Sequence, residues 1–205
     1  MSGAPGAQQH GGGATSAARE HIAVFGGSFN PPHIAHVLAA AWALSSVPLT
    51  RLFVVPTYRH PFQKAMAPYE HRVRLCELAF AELPRAEVSR IEAELGGESL
   101  TVRTLEELQR RFPQAALRLV IGSDLLAETA KWHAFDRITE LAPPLVVGRA
   151  GHEHELVARY ALPPISSTEV RRRLRAGEDV SGLVPHAVAD YVRERALYAD
   201  GRHGA

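Results

Sequence analysis

The sequence predicts an α/β fold, a doubly wound and mainly parallel sheet with helices on both faces. Three observations predict it. Short apolar runs alternate along the chain with longer stretches of helical spacing, the pattern of βαβ units. Most of those runs stop at glycine or proline, as buried strands do on leaving a sheet. The 205 residues are 46% hydrophobic and 22% charged, enough for one sizeable core and too few charges for a disordered chain. One Rossmann-like domain over residues 21–197 is expected, with a small helical part at its C-terminal end.

The first strand is His21-Ile22-Ala23-Val24-Phe25, running into Gly26-Gly27. Residues 33–46 are rich in alanine and leucine and follow Pro31-Pro32, a favourable entry to a helix because proline lacks the N–H that would be unpaired there. Arg51 to Val55 gives a second strand closed by Pro56. Residues 69–82 repeat helical spacing through Val73, Leu75, Leu78 and Ala79, and Glu87 to Ile91 reads as a weaker strand. Ser99 to Arg111 is amphipathic through Val102, Leu105 and Leu108. Leu117 to Ile121 and Leu145 to Val147 are strands ending at Gly122 and Gly148-Arg149, and short helices follow at 124–130, 168–175 and 185–195. Residues 1–20 (rich in Gly, Ala, Ser and Gln) read as a disordered tail without the basic start and apolar middle of a secretory signal. Residues 198–205 read as a flexible C-terminal tail.

Composition narrows the function. A formal net charge of +1 gives no global field to recruit nucleic acid or an anionic membrane. No apolar run approaches the roughly 20 residues needed to span a bilayer. Cys76, the single cysteine, cannot form an internal disulfide and fits a reducing cytoplasm; its setting reads as helix core. Partners are therefore expected to be small molecules, held by local placement of charge.

In a doubly wound sheet, ligands sit beyond the carboxyl ends of the strands. Those ends carry Gly26-Gly27-Ser28, Pro56-Thr57, Gly122-Ser123-Asp124 and Gly148-Arg149. The richest of them continues as Phe29-Asn30-Pro31-Pro32-His33-Ile34-Ala35-His36. Two glycines let the backbone turn tightly against a ligand, and the following helix offers free N–H groups and its positive dipole end. His33 and His36, three apart, project from one face of the first turn and can donate to phosphate oxygens as charge develops there. The same pair could simply cap a helix. Zinc is disfavoured, because no cysteine, Asp or Glu nearby completes a ligand set, so no metal site is expected. Near the other end lies Ile165-Ser166-Ser167-Thr168-Glu169-Val170-Arg171. There a hydroxyl can cap a helix while N–H groups stay free for phosphate, and Arg171 lies one turn in. By itself this segment also suits an ordinary capped helix.

The first segment resembles the G-G-[ST]-F-[DN]-P-x-H-x-G-H signature of the adenylyltransferase branch of the nucleotidyltransferase superfamily. The second resembles that superfamily's I-S-S-T-x-[IV]-R signature. Glu98 to Leu105, Ile121 to Asp124 with Trp132, and Val146 to Arg149 are similar to stretches of bacterial nicotinate-nucleotide adenylyltransferases, so the resemblance covers roughly residues 20–197. It implies transfer of AMP from ATP to nicotinate mononucleotide, with magnesium held mainly by the ATP phosphates. It implies His33, His36 and Arg171 as catalytic residues. ATP would be held by Gly26, Gly27, Ser28, Phe29, His36, Gly122, Asp124, Arg149, Ser166, Ser167, Thr168 and Arg171. The acceptor would be held by Asn30, Lys64, Thr101, Thr104 and Trp132, with Trp132 stacking on the pyridine ring. Nicotinamide mononucleotide is the alternative acceptor, discriminated by loop amides or a basic group around residues 98–104 and 132–134. One position departs from the signature: Ala35 stands where glycine is usual, which raises the alternative of a non-catalytic nucleotide-binding protein.

Overall fold

A computed structural model describes residues 19–60, 65–126, 129, 132–149 and 161–199. Six parallel strands form one sheet in the order β3-β2-β1-β4-β5-β6: β1 His21–Gly27, β2 Arg51–Pro56, β3 Ala86–Val88, β4 Ala116–Gly122, β5 Pro144–Arg149 and β6 Ala161–Leu162. The helices between and after them are α1 Ile34–Ser46, α2 Tyr69–Ala79, α3 Ile91–Leu95, α4 Thr101–Arg111, α5 Ser123–Leu126, α6 Phe135–Leu141, α7 Ser167–Ala176 and α8 His186–Glu194.

The strand sequences explain the two cores. Side chains alternate across a strand, and these strands are apolar at nearly every position, so both faces must be covered. From β1, Ala23 and Phe25 join one core while Ile22 and Val24 join the other. From β2, Leu52 and Val54 face the first, Phe53 and Val55 the second. The first core packs against α1, α2, α7 and α8 and takes in Ala40, Leu75, Val170 and Val188. The second packs against α3, α4 and α6 through Ile91, Leu105 and Ile138. The C-terminal helices α7 and α8, the small helical part of this one domain, thus share the first core.

Several elements differ from the sequence reading. Residues 91–95 form a helix, α3, and the strand before it is confined to Ala86–Val88. Helix α6 and the two-residue strand β6 are too short for periodicity to reveal. The expected C-terminal tail begins too early. Leu197 and Tyr198 are buried, at 5% and 1% exposure, and belong to the first core.

Strand order reverses between β1 and β4. Their paired registers, His21 with Ala116 through Val24 with Leu119, bring Gly26-Gly27 and Gly122 to adjacent positions on one edge of the sheet. This is the switch point where a doubly wound sheet opens a ligand crevice.

Candidate active site

The loop leaving β1 is held from behind. Phe29 adopts φ +43°, a left-handed conformation uncommon for a bulky side chain, and packs its ring into the core at 1% exposure. There it meets Phe25, Phe80 and His36 edge-on, with centroids 5.5, 5.9 and 5.0 Å away. Its side chain is therefore no ATP contact, contrary to expectation. A Cβ at Gly27 would lie 3.2 Å from that ring, which accounts for the glycine. Gly26 faces open space. Gly122 sits against Asp124, whose carboxylate would collide with any Cβ there, and Ser123 beside it is buried.

His33 occupies the position preceding α1, with extended backbone and 3% exposure. His36 is half-buried, and the two rings stack at 3.7 Å. The backbone N–H of His33 donates to Nδ1 of His36 across 3.1 Å. A backbone N–H can only donate, so Nδ1 of His36 is unprotonated and its ring proton resides on Nε2. That tautomer makes His36 a neutral hydrogen-bond donor.

The two sequence motifs meet on the residues between these rings and the glycines. Ser167 Oγ donates to the Pro31 carbonyl at 2.9 Å, and Arg171 Nη1 donates to the Asn30 carbonyl at 2.8 Å. Ser166 caps α7 by accepting from Glu169 N at 3.2 Å, as the sequence suggested. Thr168 Oγ1 lies 3.4 Å from Arg171 Nη2. Two expectations change. Arg171, expected as an ATP ligand, is 3% exposed and one arm of its guanidinium already holds a carbonyl. The Ser167 hydroxyl likewise directs its proton to protein. What α7 leaves for an anion is the N–H groups of Ser167 and Thr168 and the positive end of its dipole. Arg171 Nε is buried without a hydrogen-bond partner among the described residues.

On the acceptor side the corrections continue. Asn30 is 1% exposed, and its carboxamide oxygen accepts from Ala67 N at 3.0 Å and from the Tyr198 hydroxyl at 2.9 Å, so it braces the loop and does not line a pocket. Thr104 is 3% exposed, and its hydroxyl is buried without a hydrogen-bond partner among the described residues. Thr101 begins α4 half-buried, and Trp132 is half-buried with its ring edge-on to Phe135 at 6.0 Å. Arg149 ends β5 at the ligand edge. Lys64 lies outside the described residues.

Sequence reasoning passed over three residues that shape this site. Arg72 is 1% exposed; Nε donates to the Ala67 carbonyl at 2.9 Å and Nη1 to the Ser28 carbonyl at 3.0 Å. Its signal was an arginine four residues before Cys76, on a helix stripe otherwise apolar. Tyr198 is the second. Glu92 is the third: it accepts from Tyr58 N at 2.9 Å, and burial pushes its carboxyl above the ordinary range, while the Ser99 hydroxyl and Tyr58 N–H pull it back.

An anion cradle at the switch point of such a sheet defines a nucleotide-handling α/β protein, and residues 24–173 match the family model described as cytidylyltransferase-like. The chain is 50% identical over 180 residues to a probable nicotinate-nucleotide adenylyltransferase of Anaeromyxobacter sp. (strain K), covering 86% of this chain and 96% of that protein. It is 40% identical over 178 residues to the Myxococcus xanthus (strain DK1622) protein of the same description, covering 86% of this chain and 94% of the relative. The chain belongs to the nicotinate-nucleotide adenylyltransferase family. Its fold is also that of Plasmodium falciparum nicotinic acid mononucleotide adenylyltransferase complexed with NaAD, at TM-score 0.75 and 19% identity over 88% of this chain and 98% of that one.

Proposed function

We propose that this chain transfers the adenylyl group of ATP to the phosphate of nicotinate mononucleotide, giving nicotinate adenine dinucleotide and pyrophosphate. The observation that carries the reading is the convergence of the two remote motifs on one loop, where Ser167 and Arg171 hold the Pro31 and Asn30 carbonyls just ahead of His33 and His36. Family membership supplies the acceptor; the geometry supplies a reason for the motifs to occur together.

In the reaction an oxygen of the acceptor phosphate attacks the α-phosphorus of ATP, and the bond to the β-phosphate bridging oxygen breaks, its electron pair leaving with pyrophosphate. The attacking oxygen is already anionic, so no general base is required. The protein has to bring two polyanions into line and offset their repulsion. His36, with its proton on Nε2, donates to a phosphate oxygen without itself being charged. Backbone N–H groups of the loop after Gly26 and of Ser167 and Thr168 at the start of α7 are assigned as further donors. Arg171 acts from behind, fixing the loop and supplying positive charge. Arg149, at the end of β5, is assigned to the ATP phosphates, and Trp132 to the pyridine ring.

Nucleotidyltransferases of this kind generally use a divalent metal. Among the described residues no cluster of three or more His, Cys, Asp or Glu could hold one. Magnesium is assigned to the ATP phosphates, arriving with the substrate and coordinated by phosphate oxygens and water. No helix among the described residues is long and apolar enough to cross a membrane. A single buried cysteine fits a cytoplasmic setting.

Acceptor choice follows from a further detail. Arg103, the basic group within residues 98–104, donates to the carbonyls of Gly96 at 3.1 Å and Glu98 at 3.0 Å. Its guanidinium is engaged by the backbone, so recognition of the nicotinate carboxylate is assigned to loop amides. Pyrophosphate release by the purified chain with Mg²⁺, ATP and, in turn, nicotinate mononucleotide, nicotinamide mononucleotide and phosphopantetheine tests the reading. The first acceptor should be preferred. ATP binding without turnover on any of them would favour a non-catalytic protein.

A further inference from the structure

The Gly-Gly loop is attached to the segment after α8 by a buried polar hub, of which the reaction written above uses only Arg171. Asn30 is its centre. The backbone N–H of Ala67 can only donate, so the atom receiving it is the carboxamide oxygen, and the Tyr198 hydroxyl, 2.9 Å from that oxygen, must donate as well. Arg171 takes the Asn30 carbonyl, and Arg72 ties the Ser28 and Ala67 carbonyls together. All four side chains are at most 3% exposed. Every one of these bonds consumes an acceptor on the loop or beside it. With the carbonyls of Ser28 and Asn30 directed into the protein, the loop's N–H groups are left for the ligand edge.

Tyr198 is an unusual residue to find there. It follows the last helix, in a segment whose sequence reads as a tail, and its backbone adopts φ +69°. Bulky residues stay in that region only when their surroundings hold them, and an observed outlier of this kind points to a constraint imposed by function. A phenylalanine ring would fill the same core volume. The hydroxyl, placed in the interior against the one carboxamide that braces the loop, has no packing purpose. Burial holds it in the protonated, donating form.

We propose that Tyr198 is a positioning residue for adenylyl transfer: through the Asn30 carboxamide it fixes the loop that presents donors to the triphosphate, so the C-terminal segment completes the active site. The inference rests on the transferase reading. The segment after α8 acts as a strap across the back of the phosphate loop, and loss of its hydroxyl would leave the cradle present but loosely held.

The test uses the full-length protein, with kcat and KM for ATP and nicotinate mononucleotide measured beside the melting midpoint. Tyr198→Phe should lower kcat about tenfold with both KM values within about twofold, the result of a displaced loop and not of lost binding contacts. Val188→Ala, a core truncation in α8 at a residue that makes none of the hub's hydrogen bonds, should lower the midpoint at least as much while leaving kcat unchanged. In an Asn30→Ala background, Tyr198→Phe should have no further effect, because groups acting through one another are not additive. Equal kcat in Tyr198→Phe and the parent, or the same tenfold loss in both backgrounds, overturns the inference while leaving the transferase reading intact. A parent protein that does not turn over removes that reading, and the inference with it.

Discussion

The two walls of the crevice are built with opposite polarity. Behind the Gly-Gly loop, two buried guanidinium groups, Arg72 and Arg171, donate to backbone carbonyls. On the β2 side, a half-buried carboxylate, Glu92, and the Ser99 hydroxyl accept from the backbone N–H groups of Tyr58 and Arg59. The difference follows from what each wall has to offer. A loop that must present N–H groups to phosphates needs its carbonyls tied back by cations, and those cations add favourable potential behind the anion. The segment after β2 instead has its N–H groups consumed, which fixes its shape and leaves phosphate binding to its neighbour.

Four substitutions break or sharpen this contrast, in falling order of effect. His36→Ala removes the donor proposed for the reacting phosphate and the acceptor for His33 N; kcat should fall about 100- to 1000-fold, as loss of one preorganised donor does elsewhere. Arg171→Met leaves the Asn30 carbonyl buried and unmatched. Stability should drop about 2–3 kcal/mol in chemical denaturation, with kcat down at least about tenfold. Stability retained alongside a rise in KM for ATP alone would mean the guanidinium is a ligand and not a brace.

Glu92→Gln tests the other wall. Its amide oxygen can still accept from Tyr58 N, so KM for the acceptor should rise only about three- to tenfold, with KM for ATP unchanged. The pH dependence has a definite sign. Burial raises the Glu92 pKa in the folded state, so the fold binds this proton more tightly than the unfolded chain does. The penalty is absent below the ordinary carboxylate range and complete above the raised value. The parent's stability should therefore decline across that window as pH rises, and Glu92→Gln should flatten this decline. A parent more stable with rising pH there, by an amount the substitution abolishes, would reverse the assignment.

Ala35→Gly has the smallest expected effect. Ala35 is 3% exposed in the first turn of α1. Glycine should reduce stability about 0.5–1 kcal/mol through backbone entropy and change KM for ATP by less than about threefold. A large gain in ATP affinity would show that the methyl crowds the base.

The alternation of apolar strands and amphipathic helices, the glycine turns and both motifs were legible in the chain, because each is written in local periodicity or in contiguous residues. The pairing of His33 with His36 was legible for the same reason. Misassigned were residues whose role depends on a remote partner. Asn30 looked like a ligand by type and place, yet it turns inward to groups that neighbouring residues do not reveal. Phe29 lay in a ligand loop and turned its ring into the core.

Arg72 and Tyr198 show the limit most clearly. A charge inside a helix stripe and an aromatic after the last helix are visible in sequence, but 126 positions separate them and nothing local says that one carboxamide region joins them. The sequence by itself determined the elements, their order and the chemistry available at the strand ends, since hydrophobic periodicity and turn residues act over a few positions. Tertiary structure alone decided which polar groups face the ligand and which brace the loop. That division depends on burial: a buried donor must find an acceptor wherever the fold brings one, and sequence distance plays no part.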